Sequence, residues 1–152
     1  MKTLLQLLFC IAALAMGAGP TLADEMLIVR SDRDFEDTMT SLQGAIAARG
    51  YKVSRVQRVD IGLEAKGYQT DKYRVVFYGK ADEVTRLAER HPELIPFLPL
   101  SVAIFAEGTQ TLLATNRPRA LKAFFTAPEL ASTFDRWEQD LVGIFEEVRR
   151  QR

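Results

Sequence analysis

Residues 73–78, Tyr-Arg-Val-Val-Phe-Tyr, read as a strand with apolar side chains at both odd and even positions. A strand that is apolar on both faces belongs inside a sheet, with neighbours on either side. Downstream, Ser101 to Glu107 (SVAIFAE) and Gln110 to Thr115 (QTLLAT) are two more strands, joined tightly at Gly108-Thr109 as a hairpin. Upstream, Tyr51 to Asp60 follows directly on Gly50 and is rich in β-branched residues. Its valines at 53, 56 and 59 are three apart, a spacing that suits a helix as well, and the stretch reads best as a strand with a bulge. Met26 to Arg30 (MLIVR) supplies a first strand.

Helices are placed around these strands by their own periodicity. Phe35, Met39, Leu42 and Ile46 recur at helical spacing behind the capping side chains of Ser31 to Asp34, and Gly50 lies just past the end of that helix at Arg49. Ile61 to Gly67 is a short helical turn or a loop, and Asp82 to Arg90, with Val84, Leu87 and Ala88 on one side, is a short helix. A further short helix opens at Asn116 and Pro118 and holds Leu121, Phe124 and Phe125. Thr126-Ala127-Pro128-Glu129 has the pattern of a capping box with a first-turn proline. The last helix carries Leu130, Phe134, Trp137, Leu141, Ile144, Phe145 and Val148 along one face, which must lie on a sheet or a partner. Strands that cluster in the middle, without regular alternation with helices, predict an α+β fold. Its helices would pack on one face of a largely antiparallel sheet.

The segment His91 to Leu100 (HPELIPFLPL) fits none of these patterns. Pro92, Pro96 and Pro99 argue against a helix interior or a central strand, yet Leu94, Ile95, Phe97, Leu98 and Leu100 demand burial. Such a stretch either packs over the core or meets another surface.

The amino terminus reads as an address. Lys2 is followed by an apolar run from Thr3 to Ala15, then by helix-breaking Gly17, Gly19 and Pro20 and by small residues at Thr21-Leu22-Ala23. The run is shorter than the roughly 20 apolar residues of a membrane span, so residues 1–23 are expected to be a cleaved signal peptide. A single domain of residues 24–152, periplasmic or secreted and without a stable membrane anchor, would follow. Phe9 before Cys10 does not suit a lipidation signal. One of the 20 Lys and Arg lies in this leader and none of the 20 acidic residues does, so the remainder is one charge negative. That balance gives no electrostatic footprint for nucleic acid. The only cysteine also lies in the leader, which excludes thiol chemistry and disulfides from the domain.

The chain resembles the domain of unknown function 302 family of small bacterial and archaeal domains. The likeness rests on Arg49-Gly50-Tyr51-Lys52-Val53 after the first helix and on Val75-Val76-Phe77-Tyr78-Gly79-Lys80 in the strand. It continues through Leu98-Pro99-Leu100 before an apolar strand and Asn116-Arg117-Pro118 after the hairpin. It spans roughly Phe35 to Pro118. The resemblance implies a β-α-β(4)-α fold related to a single copy of the TATA-box-binding-protein fold, a tendency to form homodimers, and no assigned activity. Where many members have Gly-Asn-Pro, this chain has Gly79-Lys80-Ala81, so no role of that turn transfers.

Motifs for chemistry are sparse. There is no nucleophile elbow, Walker loop or dinucleotide fingerprint. The acidic cluster Asp32, Asp34, Glu36 and Asp37 lacks the glycine and closing glutamate of a calcium loop and suits a helix start. His91, the single histidine, reads as a surface side chain at a helix end, with a ligand role for haem or copper as the alternative, aided by Met26 or Met39. Tyr78, Lys80, His91 and Phe97 are the candidate binding residues, because a loop crossing the end of a sheet tends to form a pocket. The bland reading is that Ile95, Phe97 and Leu98 complete the core or a dimer contact. The functional expectation is a non-catalytic binder of a small molecule or a periplasmic protein partner, acting as a homodimer with no resident cofactor. The alternatives are the redox accessory and an enzyme whose site has no sequence signature.

Overall fold

The computed structural model describes residues 25–150. The predicted leader and its cleavage point lie outside the described residues. Among those residues no helix is long and apolar enough to cross a membrane.

Five strands form one sheet, β1 (Met26–Ser31), β2 (Lys52–Arg58), β3 (Tyr73–Gly79), β4 (Leu100–Glu107) and β5 (Gln110–Asn116). Their spatial order is β1-β5-β4-β3-β2, with every neighbouring pair antiparallel. The helices are α1 (Phe35–Ala48), α2 (Val59–Glu64), α3 (Ala81–Arg90) and α4 (Pro128–Arg150), with 3-10 helices at Pro92–Phe97 and Pro118–Ala123. The α+β class read from the sequence is the one observed. β3 is an interior strand, as its two-sided apolar pattern requires, although the middle of the sheet is β4.

Local chemistry explains most boundaries. Asp34 caps α1 by accepting the Asp37 amide hydrogen at 2.9 Å, and Gly50 takes the positive φ of 73° that a side chain would resist. β2 carries the expected bulge between Val53 and Arg55 but ends at Arg58, before the predicted Asp60. There the chain turns into α2 because Asp60 swings inward to pair with Arg74 on β3. The start of α4 differs from the capping-box reading. Its first residue is Pro128, and the Glu129 carboxylate lies 3.3 Å from His91 Nε2 instead of turning back on Thr126.

The core forms between α1, α4 and one face of the sheet. Val76, Val102, Ile104 and Leu113 point into it with no exposed surface, and the seven α4 positions named from the sequence are all buried. The other face shows what α1 and α4 leave uncovered. Val75, Ala103, Ala114 and Ile28 lie in register across β3, β4, β5 and β1 as one apolar row. Ile28 is 50% exposed.

The proline segment departs from expectation in two ways. It forms a six-residue 3-10 helix that contains Pro96, a geometry that a short, loosely bonded helix tolerates. Only Leu94 of its apolar residues is fully buried, while Ile95 and Phe97 are exposed.

Candidate functional site

The 3-10 helices Pro92–Phe97 and Pro118–Ala123 stand on either side of one end of the sheet and enclose a cavity of about 420 Å³. Phe77, Leu100 and Ser101 form its floor, Pro96 to Pro99 one wall, and Arg117, Pro118, Leu121 and Phe124 the other. Phe77, Ser101 and Asn116 lie at the end of the uncovered sheet face, so the cavity opens onto that face. The rim is unusually apolar for a surface, with Phe97 45% and Phe124 78% exposed. Phe97 stacks edge-on against Phe125 at 5.5 Å between ring centres, and Phe125 leads through Phe134 to Trp137 in the core.

Polar groups at the cavity are few. The Arg117 amide donates to the Glu25 carbonyl at 2.8 Å, which ties β1 to the wall. The Arg117 guanidinium pairs through Nη1 with Glu138, which is nearly buried, and Arg119 approaches the same carboxylate at 3.9 Å. The buried Nε of Arg117 has no acceptor among the described residues. A buried donor without a partner is costly.

The four candidate residues do not share this cavity. Phe97 lines it; the others lie elsewhere. Tyr78 is buried beside Tyr51, with ring centres 5.5 Å apart, and Lys80 sits over the Tyr51 ring at 4.6 Å. Tyr51 donates its hydroxyl hydrogen to Asp140 Oδ2 at 2.6 Å. Burial, and then the Asp140 hydrogen bond and charge, push the Tyr51 phenol far up, while Tyr78 is raised by burial and by Asp140. Both rings stay protonated phenols, unsuited to act as bases or nucleophiles near neutral pH. Around them Arg136 joins Glu83, Tyr51 and Asp140, and Trp137 Nε1 donates to Glu83 at 3.1 Å. This network fastens α4 to α3 and to Tyr51, just before β2.

His91 is held between two acids, with Nδ1 3.2 Å from Glu93 and Nε2 3.3 Å from Glu129. Both ring nitrogens are therefore engaged, and no group of three or more His, Cys, Asp or Glu side chains among the described residues is placed to hold a metal ion. Of the proposed second ligands, Met39 is buried in the core and Met26 lies at the outer edge of the sheet. The acidic cluster is structural. Asp34 caps α1, Asp37 pairs with Arg33, Glu36 with Lys72, and Asp32 accepts from Gln110.

The sequence reading missed Phe77, Arg117 and Phe124 as cavity residues, and Glu138 behind the wall. One signal was available. Phe77, Leu98-Pro99-Leu100 and Asn116-Arg117-Pro118 belong to three of the four motifs behind the family resemblance, and all of them line the cavity.

No curated protein matches the chain. Among solved structures it is similar to an uncharacterised conserved DUF302 protein from Bacillus stearothermophilus, known from a crystal structure. The TM-score is 0.73 at 18% identity, over 82% of this chain and 98% of that one, a likeness of fold. The family model for the domain of unknown function DUF302 matches residues 27–148, from the first strand to the end of the last helix, and the chain belongs to that family.

Proposed function

We propose that the domain is an exported, non-catalytic binding protein that takes a small, largely apolar molecule, or an apolar side chain of a partner, into the cavity between the two 3-10 helices. One observation carries this reading. Three separated family motifs meet at one cavity whose aromatic rim is left in water, an arrangement that core packing alone does not call for. The volume suits a ligand of modest size. In the same reading the uncovered apolar face of the sheet joins two copies as a homodimer, with the cavity at its edge. Residues 1–23 would direct export and be removed.

The test is native mass spectrometry of the protein purified gently from its own compartment, alongside Phe97→Ser and Phe124→Ser variants. Both side chains are exposed, so the variants should melt as the parent does. The expected result is an added mass on the parent that both variants lose. A bare parent that also fails to take up an apolar probe such as 1-anilinonaphthalene-8-sulfonate would refute the cavity as a ligand site.

A further inference from the structure

A second, smaller pocket lies between α3 and the first turns of α4 and encloses about 170 Å³. It shares no lining residue with the larger cavity and is lined mainly by charged groups. Its charges are unequally matched. Glu83 is held by Arg136 and by the Trp137 indole, and Glu129 by His91. The side chains of Arg86 and Arg90, by contrast, have neither an ion pair nor a hydrogen bond among the described residues. They stand four residues apart on α3, so both side chains lie on one face of the helix, where like charges repel. Thr133, from the second turn of α4, adds a hydroxyl to the lining.

We propose that this pocket binds a small tetrahedral oxyanion, phosphate or sulfate in chemistry, held between Arg86 and Arg90. Each guanidinium presents a planar fork of donors that matches two oxygens of such an ion. The ion relieves the repulsion between the two arginines, and of the acids in the lining Glu83 is already paired with Arg136. The space takes the ion with a few waters, or a terminal phosphate group.

The test is a titration of the purified protein with inorganic phosphate, with ionic strength held constant by chloride, observing the arginine Nε–Hε signals by NMR. The signals of Arg86 and Arg90 should shift together and saturate, and a Arg86→Gln/Arg90→Gln variant should bind at least tenfold more weakly. An Arg55→Gln control, on β2 and outside the lining, should bind as the parent does. Sulfate should reproduce the effect and acetate should not. Methyl phosphate in place of phosphate separates a terminal group on a larger molecule, which would bind equally, from the free ion, which alone would bind. Shifts that grow linearly without saturation, or an unchanged response in the double variant, would overturn the proposal. Neither result depends on whether the larger cavity holds an apolar ligand.

Discussion

The two faces of the sheet are built from the same strands and have opposite fates. On one, Val102, Ile104 and Leu113 disappear completely beneath α1 and α4; on the other, Ala103, Phe105 and Leu112 alternate with them and keep part of their surface in water. Alternation of side chains makes each strand serve both faces at once, so an apolar residue says that its face is covered without saying by what. The covered face holds the fold. The uncovered face and the cavity at its end are free to meet something else.

Substitutions that fall on one face or the other sharpen this contrast. Phe134→Ala, beneath α4 and fully buried, should cost about 4 kcal/mol in denaturant unfolding through lost packing and a residual void. Next comes Asp60→Ala, which strands the nearly buried Arg74 guanidinium at the margin of the same core and should cost about 3 kcal/mol. That pair also has a pH signature. Burial raises the Asp60 carboxyl, but the Arg74 and Ile61 hydrogen bonds and the charges of Arg74 and Arg58 outweigh it and hold the group below its usual value. Its contribution is therefore complete above the unfolded value near pH ~4 and is lost as pH falls through the lower folded value. Asp60→Asn should flatten the acid limb of a stability–pH curve; an unchanged limb would show that the pair is not stabilising.

Tyr51→Phe removes the hydroxyl that Asp140 accepts and should cost about 1.5 kcal/mol. Its sign with pH is opposite. The raised phenol contributes fully below the unfolded value near pH ~10 and loses that contribution as pH climbs toward the higher folded value. The variant should therefore resist alkali relatively better than it resists urea. The smallest effect on folding belongs to Ile28→Ser on the uncovered face, within about 0.5 kcal/mol. In the proposed homodimer the same change should give a monomer in sedimentation. A large loss of stability without a change of mass would mean that this face is covered within one chain.

Secondary structure was legible where the residues carry their own period. The seven apolar positions of α4, the Gly50 cap and the bulge in β2 all follow from local spacing, and all are found. The cavity was only half legible. Phe97 stood out because its prolines break every regular pattern, but Phe77 and Arg117 come together with it only through the pairing of β3, β4 and β5. His91 illustrates the same limit. Glu93 is its neighbour in the chain, whereas Glu129 reaches it only because α4 begins beside the end of α3. Tyr78 lies near the end of an interior strand as expected and Lys80 just past it, yet the polar network around Tyr51 draws on α4, whose register against the sheet no local pattern reveals.

The chain contains one tryptophan, and it sits where the aromatic contacts that start at the cavity rim reach the core. Trp137 is 2% exposed and its indole N–H points at the Glu83 carboxylate. The protein thus carries a single built-in optical reporter, shielded from water and from external quenchers. Intrinsic emission should stay at short wavelength while α4 is seated and move to the red when the helix lifts. A guest that displaces Phe97 would press on Phe125 and Phe134 in turn, so occupancy of the cavity should be readable as a change in emission without any label.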